Sequence, residues 1–508
     1  MSIMWKKVLL TAAMAAFATT AVMADDLPSF DTPSDNSIPG FGDESGSLPG
    51  FESDSGSASS SSFGAASSAL AISGEGGASS RWFLAGASDI EDRAVQMDPY
   101  FRLNFSYSGS IGEVEAKLKV NERILKDNPE DVIDELTLRA YLGNFVLEAG
   151  KMKLVWGKGD KVHVLDNFNS DDYSDFIFPD YIDRRIAVPM VHVAYNMDNG
   201  MRLEGAYTPY MTGTRYASSG PWVPEHTLLS AYEKANAKAT SMGSTMGYSE
   251  PTLGSFSATK LYGIYKDNLP DTRTLKYGQF GLRATGTVGS FDWGASYFYG
   301  RMKDASMNSE ELVHMLLKSG VNTTYQSAIS VGQLYDYDRM QVFGLEGATV
   351  IGGFNFRAEL GYFLTDDVDG DDPYVHNNSL QWVFGFDRDL PWNNLNVNIQ
   401  TQGKYILHGD DVKDGVGDVD YNGEKAWVQN RLVLDITDSW MHEKLKPELK
   451  LVWNIELEDV VVMPQVSYQL MEGLDVSLAG LYIYSGDNGQ FYDFKDNSFV
   501  QVGAVYKF

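Results

Sequence analysis

The last eleven residues, Ser498 to Phe508, alternate: Val500, Val502, Ala504, Tyr506 and Phe508 fall on one face, Gln501, Gly503 and Lys507 on the other. A two-residue period with one apolar and one mostly polar face marks a half-buried strand. The pattern recurs along the chain. Val114, Ala116, Leu118 and Val120 oppose Glu113, Glu115, Lys117 and Lys119, and Phe354, Phe356, Ala358, Leu360 and Tyr362 oppose Asn355, Arg357 and Glu359.

The N-terminus carries an export signal. Lys6 and Lys7 precede an apolar run from Val8 to Met23, and Val22-Met23-Ala24 supplies small residues before Asp25, so residues 1–24 read as a secretory leader. The chain has no Cys, which excludes an N-terminal lipid anchor and disulfides. Past the leader no stretch approaches the roughly 20 apolar residues of a spanning helix. A chain that crosses a membrane without such helices must close its strands into a barrel, because lipid offers no partner to free backbone groups. The terminal strand also resembles the C-terminal strand of bacterial outer-membrane barrels, a resemblance that makes Tyr506 and Phe508 a membrane-insertion signal for the barrel-assembly machinery.

The reading is therefore all-β: a transmembrane antiparallel barrel over residues 81–508, with 16–18 strands, 18 favoured. The first strand is placed at 82–90 and the last at 498–508. With Phe508 periplasmic, connections sort by side: 351–353, 390–393 and 471–473 are short and periplasmic, while 303–336, 366–376, 408–424 and 486–496 are long and extracellular. Short helices are expected in two loops, Pro224 to Ser241 and Asn308 to Lys318; the second has Asn308 and Glu311 in capping-box spacing and a stop at Gly320. Ser255 to Lys266 alternates like a strand but breaks the parity, so it belongs to a long loop.

Between leader and barrel, residues 25–80 hold nine acidic residues, no Lys and, before Arg81, no Arg, with many Ser and Gly. Such a segment lacks the apolar surface to fold alone and reads as disordered and periplasmic. Three phrases, Leu27-Phe30, Ile38-Phe41 and Leu48-Phe51, repeat within it as apolar beads. They suit weak multivalent docking to a periplasmic or inner-membrane transport component, a plug in the lumen, or a spacer made by duplication. The formal net charge of -29 becomes -31 once the two leader lysines leave, which opposes nucleic-acid binding.

Inward positions are charged on both signs. Lys117, Arg139, Arg202, Arg283, Arg357, Lys404 and Arg431 face Glu359 and a comparable set of other acids, so cross-strand ion pairs on a wet wall are expected. The loop 158–185 is the most distinctive: Asp166, Asn167, Asp171 and Asp172 interleave with Phe168, Tyr173, Phe176, Phe178 and Tyr181. It is too apolar for water and too polar for lipid, so it is expected to fold inward from Trp156 as a pore constriction.

The stretch Gly150-Lys151-Met152-Lys153-Leu154-Val155-Trp156-Gly157, the turn Asp166-Asn167-Phe168-Asn169, and Arg185-Ile186-Ala187-Val188-Pro189-Met190 resemble a domain-of-unknown-function family of Gram-negative outer-membrane proteins. Its members share a G-[KR]-x-x-[LV]-x-W-G strand end, an asparagine-rich crossing and a V-P-M strand start. This chain has Asn167-Phe168-Asn169-Ser170 where N-P-x-D is commoner. The resemblance implies a large channel with an inward loop, working with inner-membrane exporters on lipid-like cargo. It implies no catalytic residues.

The expected function is an outer-membrane channel or transporter for solutes or amphiphilic cargo. A passive diffusion porin and a surface adhesin are the alternatives. No enzyme is expected: the seven His are scattered and no H-E-x-x-H, G-x-S-x-G or Cys nucleophile occurs, which leaves His163, Ser170, Asp171 and Asp172 as the sole rim constellation to examine. No cofactor is expected. Asp366, Asp367, Asp369, Asp371 and Asp372 offer oxygen ligands for Ca2+, but the complete twelve-residue calcium loop is missing.

Overall fold

The computed structural model describes residues 69–84, 95–249, 258–413 and 417–508. The leader and the acidic segment as far as 68, with its three beads, lie outside the described residues. Eighteen antiparallel strands form one sheet. They are β1 (Ala69–Phe83), β2 (Val95–Ser108), β3 (Gly112–Asn121), β4 (Ile133–Leu142), β5 (Phe145–Met152), β6 (Val188–Asn196), β7 (Arg202–Thr208), β8 (Gln279–Val288) and β9 (Phe291–Arg301). The second half holds β10 (Arg339–Ile351), β11 (Phe354–Thr365), β12 (Ser379–Asp389), β13 (Asn396–Ile406), β14 (Val428–Thr437), β15 (Leu445–Asn454), β16 (Asp459–Met471), β17 (Leu474–Tyr484) and β18 (Phe499–Lys507). β1 pairs with β2 on one side and with β18 on the other, from Glu75 opposite Lys507 to Phe83 opposite Phe499, so the barrel is closed and has no edge.

Alternation sets the two faces. Leu345 and Leu478 are 59% and 55% exposed on the outside, while their neighbours Glu346 and Ala479 are 7% and 5% exposed on the inside. An outward apolar belt of this kind is stable only against hydrocarbon. Connections at one end are short (109–111, 143–144, 197–201, 289–290, 352–353, 390–395, 438–444 and 472–473), and all the long ones lie at the other end. In the two-residue reversals at 289–290 and 472–473, Gly289 (φ 65°) and Gly473 (φ 75°) take the left-handed conformation that a side chain disfavours.

Seventeen of the strands fall largely on the segments expected for them; the first shares only Trp82 and Phe83 with the expected 82–90. It opens at Ala69, so the boundary at 80/81 and the strand at 82–90 are corrected: residues 69–80, read as disordered, are barrel wall. Aromatic rings on neighbouring strands supply the bulk that its glycines lack. A Cβ at Gly74 would meet the Phe508 ring at 2.6 Å, and one at Gly77 the Tyr100 ring at 2.7 Å.

Helices occupy the long-loop end: α1 (Glu122–Asp127), α2 (Glu225–Gly243), α3 (Ala258–Asn268) and α4 (Ser309–Gly320). Asn308 caps α4, accepting from the N–H groups of Glu310 and Glu311 at 3.1 and 3.2 Å. The Glu311 carboxylate turns to the N–H of Gly332 at 2.5 Å. The strand-like stretch before Lys266 lies largely in α3, because Leu261 and Ile264, one helical turn apart, both pack into a cluster with α2 and α4.

Candidate pore constriction

The connection between β5 and β6, residues 153–187, does not stay at the rim. It turns inward at Gly157, whose φ of 114° favours glycine and whose Cβ would strike the Glu359 carboxylate at 2.2 Å. Glu359, 2% exposed on β11, then holds the first half of the loop. The N–H groups of Gly159, Val164 and Leu165 donate to its two oxygens at 2.6, 2.7 and 3.1 Å, and His163 Nδ1 stands 2.9 Å away. Three donors on one carboxylate fix a backbone that no regular structure supports. Neighbouring strands add contacts: Lys161 pairs with Asp435 of β14 at 2.8 Å, and Asp160 accepts from the Asn398 amide of β13 and faces Arg357 at 3.5 Å.

The middle of the loop packs through rings. Trp156 and Phe168 meet edge to face at 5.1 Å, and Phe168 meets Phe298 of β9 the same way at 5.0 Å. Gly281 of β8 makes room for them, since a Cβ there would sit 2.7 Å from Trp156 and 2.9 Å from Phe168. Met190, Met340, Val342, Phe363 and Val383 complete this cluster from the wall. These inward apolar residues were not expected: reading polar residues as lumenal fails where a loop covers the wall.

Asn169 clamps the strands on either side of the loop. Its carbonyl accepts from Leu154 N–H at 2.9 Å, and its amide donates to the carbonyls of Met152 and Ile186 at 3.1 and 2.9 Å. Asn167 makes only a local bond, to the carbonyl of Val164 at 3.2 Å.

The acidic second half reaches the opposite wall. Asp175 accepts a two-pronged bond from Arg81 of β1, Asp183 pairs with Arg102 of β2 at 3.0 Å, and Asp180 pairs with Lys450 of β15 at 2.6 Å. Phe176 stacks on Trp222 at 5.2 Å and 7°, and Phe178 meets Phe499 of β18 at 5.1 Å. Asp172 pairs with Arg215 at 3.1 Å, and Tyr173 stacks on Tyr216 at 6.3 Å. Inside the loop, Arg185 binds Asp166 at 2.5 Å and Asp171 at 3.3 Å, while Tyr181 donates to Asp166. Loop 153–187 thus touches β1 and β2, β8 to β11, β13 to β15 and β18.

Burial and charge oppose each other at this crossing. Burial alone would lower the pKa of His163, but the Glu359 carboxylate outweighs it and holds the imidazole above its ordinary range. Burial also raises the Asp166 carboxyl against the pull of Arg185 and His163. Lys303, buried and near Arg185, is lowered to about 7.

Towards the short-turn end the lumen keeps its charge in a ladder. Arg139 of β4 bridges Glu113 of β3 at 3.0 Å and Glu148 of β5 at 2.7 Å, and His192 of β6 lies between Glu148 (2.7 Å) and Glu204 of β7 (3.6 Å). Glu204 also meets Arg202 at 2.5 Å and Arg283 of β8 at 3.6 Å, and Arg283 binds Glu346 of β10 at 2.5 Å. Outside the ladder, Lys117 pairs with Glu135 at 3.1 Å and Arg357 with Asp387 at 2.7 Å; at the long-loop end Lys404 pairs with Asp420 at 3.4 Å, and Arg431 donates to Asn454 at 2.7 Å and Gln490 at 2.8 Å. Glu148, His192, Arg81 and Arg102 were missed as site residues. Strand alternation at β6 flags His192, and the two arginines fall in or beside the Gly-rich start that was misread.

The other sites do not assemble. Ser170 Oγ donates to the Thr212 carbonyl, His163 faces Glu359 and Asp172 faces Arg215, so no nucleophile-base pair forms among them. Asp367 accepts the N–H groups of Gly370, Asp371 and Asp372 at 2.9, 3.2 and 3.2 Å and so closes its own loop, with Asp366, Asp369, Asp371 and Asp372 exposed around it. Among the described residues no three acids or histidines are placed to hold a metal ion. Tyr506 and Phe508 lie at the closing seam, where the Phe508 ring stacks on Phe101 at 6.2 Å.

A closed 18-stranded antiparallel barrel with an apolar outer belt, a charged lumen and long loops at one end defines a porin-like outer-membrane β-barrel channel. The chain belongs to the family described as "Protein of unknown function (DUF1302)", whose model matches residues 141–508. No curated protein matches the chain in sequence. Solved structures with a similar chain course include OccK11 (OpdR) of Pseudomonas aeruginosa, at 10% identity and TM-score 0.41, covering 87% of this chain and 95% of that one. A BenF-like porin from Pseudomonas fluorescens Pf-5 gives 10% and 0.44 over 87% and 98%, and OpdO of Pseudomonas aeruginosa 11% and 0.43 over 87% and 97%.

Proposed function

We propose that the protein is a gated outer-membrane channel for amphiphilic solutes, with loop 153–187 as the gate. The observation that carries this reading is the reach of that loop: Glu359 holds one end of it on β11, and Arg81 and Arg102 hold the other on β1 and β2. Glu359, Asp435, Lys450, Arg81 and Arg102 on the wall face this loop and not open water. The rings and methionines around Trp156 and Phe168 lie beside these ion pairs, a mixed surface that suits a solute with an apolar part and a polar part. No step of such passage needs catalysis or a cofactor.

The chain enters β1 at Ala69, at the short-turn end, so in this reading the preceding segment belongs to the periplasmic side, and Leu27-Phe30, Ile38-Phe41 and Leu48-Phe51 would engage a periplasmic or inner-membrane partner. Proteoliposomes loaded with a fluorescent single-chain amphiphile should release it faster than protein-free vesicles while swelling slowly in sucrose. Rapid sucrose swelling, or no release of the amphiphile, contradicts the proposal.

A further inference from the structure

Outside the barrel's long-loop end, α2, α3 and α4 build a small core of their own around Tyr232, Ala239, Leu261, Val313 and Leu317. That core is not full. A cavity of about 200 Å³ remains, walled by Leu261, Ile264, Leu312, Met315 and Leu316. An apolar cavity of about 150 Å³ is already enough to stay dry and take up benzene. Tyr232, Tyr335 and Ser319 also line it; the Ser319 hydroxyl donates to the Leu316 carbonyl at 2.8 Å and the Tyr335 hydroxyl to Met307 Sδ at 3.6 Å. Ser319 is exposed, which puts it at the mouth. The methionines Met307 and Met315 on the lining adapt their shape to a guest.

We propose that this cavity binds the apolar end of a single-chain amphiphile, with its polar end in water at the mouth beside Ser319. Size sets the tail, since the space exceeds a benzene site by only about a third; the mouth sets the head, since exposed Ser319 marks where the cavity meets water and a charged or polar end would stay hydrated there. The cavity also communicates with the gate. Leu228, on its lining, packs at once against the helical core and against the aromatic cluster of Phe176, Trp222 and Phe494. Phe176 is held there at φ 54°, a conformation that a bulky residue adopts only when its surroundings impose it. The site's use as a cargo stop ahead of the gate rests on the channel reading above; its occupancy does not.

The absence of cysteine makes the test direct, because Ser319→Cys creates a unique thiol at the mouth. In nanodiscs, modification of this thiol by a trimethylammonium methanethiosulfonate is followed with and without octanoate below its micelle threshold. Octanoate should slow the reaction saturably, about fivefold at about four times its Kd, and leave the neighbouring exposed Lys318→Cys almost unaffected. Equal slowing at both positions, or none at Ser319→Cys, overturns the proposal. Wild-type protein carrying 13C-methyl methionine gives a second readout, with Met315 assigned through Met315→Leu: its signal should shift with octanoate, and a stationary signal overturns the proposal. Protection at Ser319→Cys with no amphiphile release from proteoliposomes would remove the channel reading and leave the site, and the reverse result would remove the site alone.

Discussion

Glu359 holds the first half of loop 153–187, because one buried carboxylate serves His163 and three backbone donors. Removing one partner of a buried pair costs about 3–5 kcal/mol, mostly through the charge left behind. Glu359→Gln should therefore release the first half of the loop and add long, high-conductance openings in planar bilayers; an unchanged current trace would show that the loop is held elsewhere. The same pair sets a pH dependence. The folded-state pKa of His163 is raised above its ordinary value of about 6.5, so its contribution to docking is complete below that value and is lost as pH rises through the raised one. Asp166, also raised, acts in the same sense at lower pH, whereas Lys303, lowered to about 7, gains docking as pH rises towards its ordinary range. In a Lys303→Met background, conductance should climb with pH on the alkaline side, and adding His163→Gln should flatten that rise.

At the level of elements, the seam between β1 and β18 depends on a glycine. Gly74 exchanges backbone bonds with Phe508 at 2.9 Å in both directions, and a Cβ there would also lie 2.9 Å from the carbonyl oxygen of Arg102. Gly74→Val should overpack the seam by about 1–3 kcal/mol and lower the temperature at which the folded band is lost on gels; an unshifted transition would mean that the seam relaxes freely. This seam also shows what the sequence conceals. Strands such as β3 and β11 are legible because their own side chains alternate, and the two-residue period needs no knowledge of neighbours. β1 is not, because its apolar cover is borrowed from Tyr100, Phe101 and Phe508 on other strands. Loop helices divide in the same way: the Asn308 cap announces α4, while α3 is helical through Leu261 and Ile264, which join one apolar cluster with α2 and α4. The crossing residues were legible as a mixed acidic and aromatic run, but their partners on β1, β2, β11 and β15 are distant in sequence and follow only from closure.

Across the whole molecule, the barrel is a wall with two interiors. Near the short turns the lumen holds a charge ladder from Glu113 to Glu346, and nearer the loops it holds a packed core around Trp156 and Phe168. The central claim is that loop 153–187 closes a barrel that is otherwise wide enough to conduct. Single-channel recording of the wild type beside a variant lacking residues 167–180 tests it most directly. The account predicts small or flickering currents for the wild type and a large, steady conductance for the deletion; equal conductance in the two would contradict it.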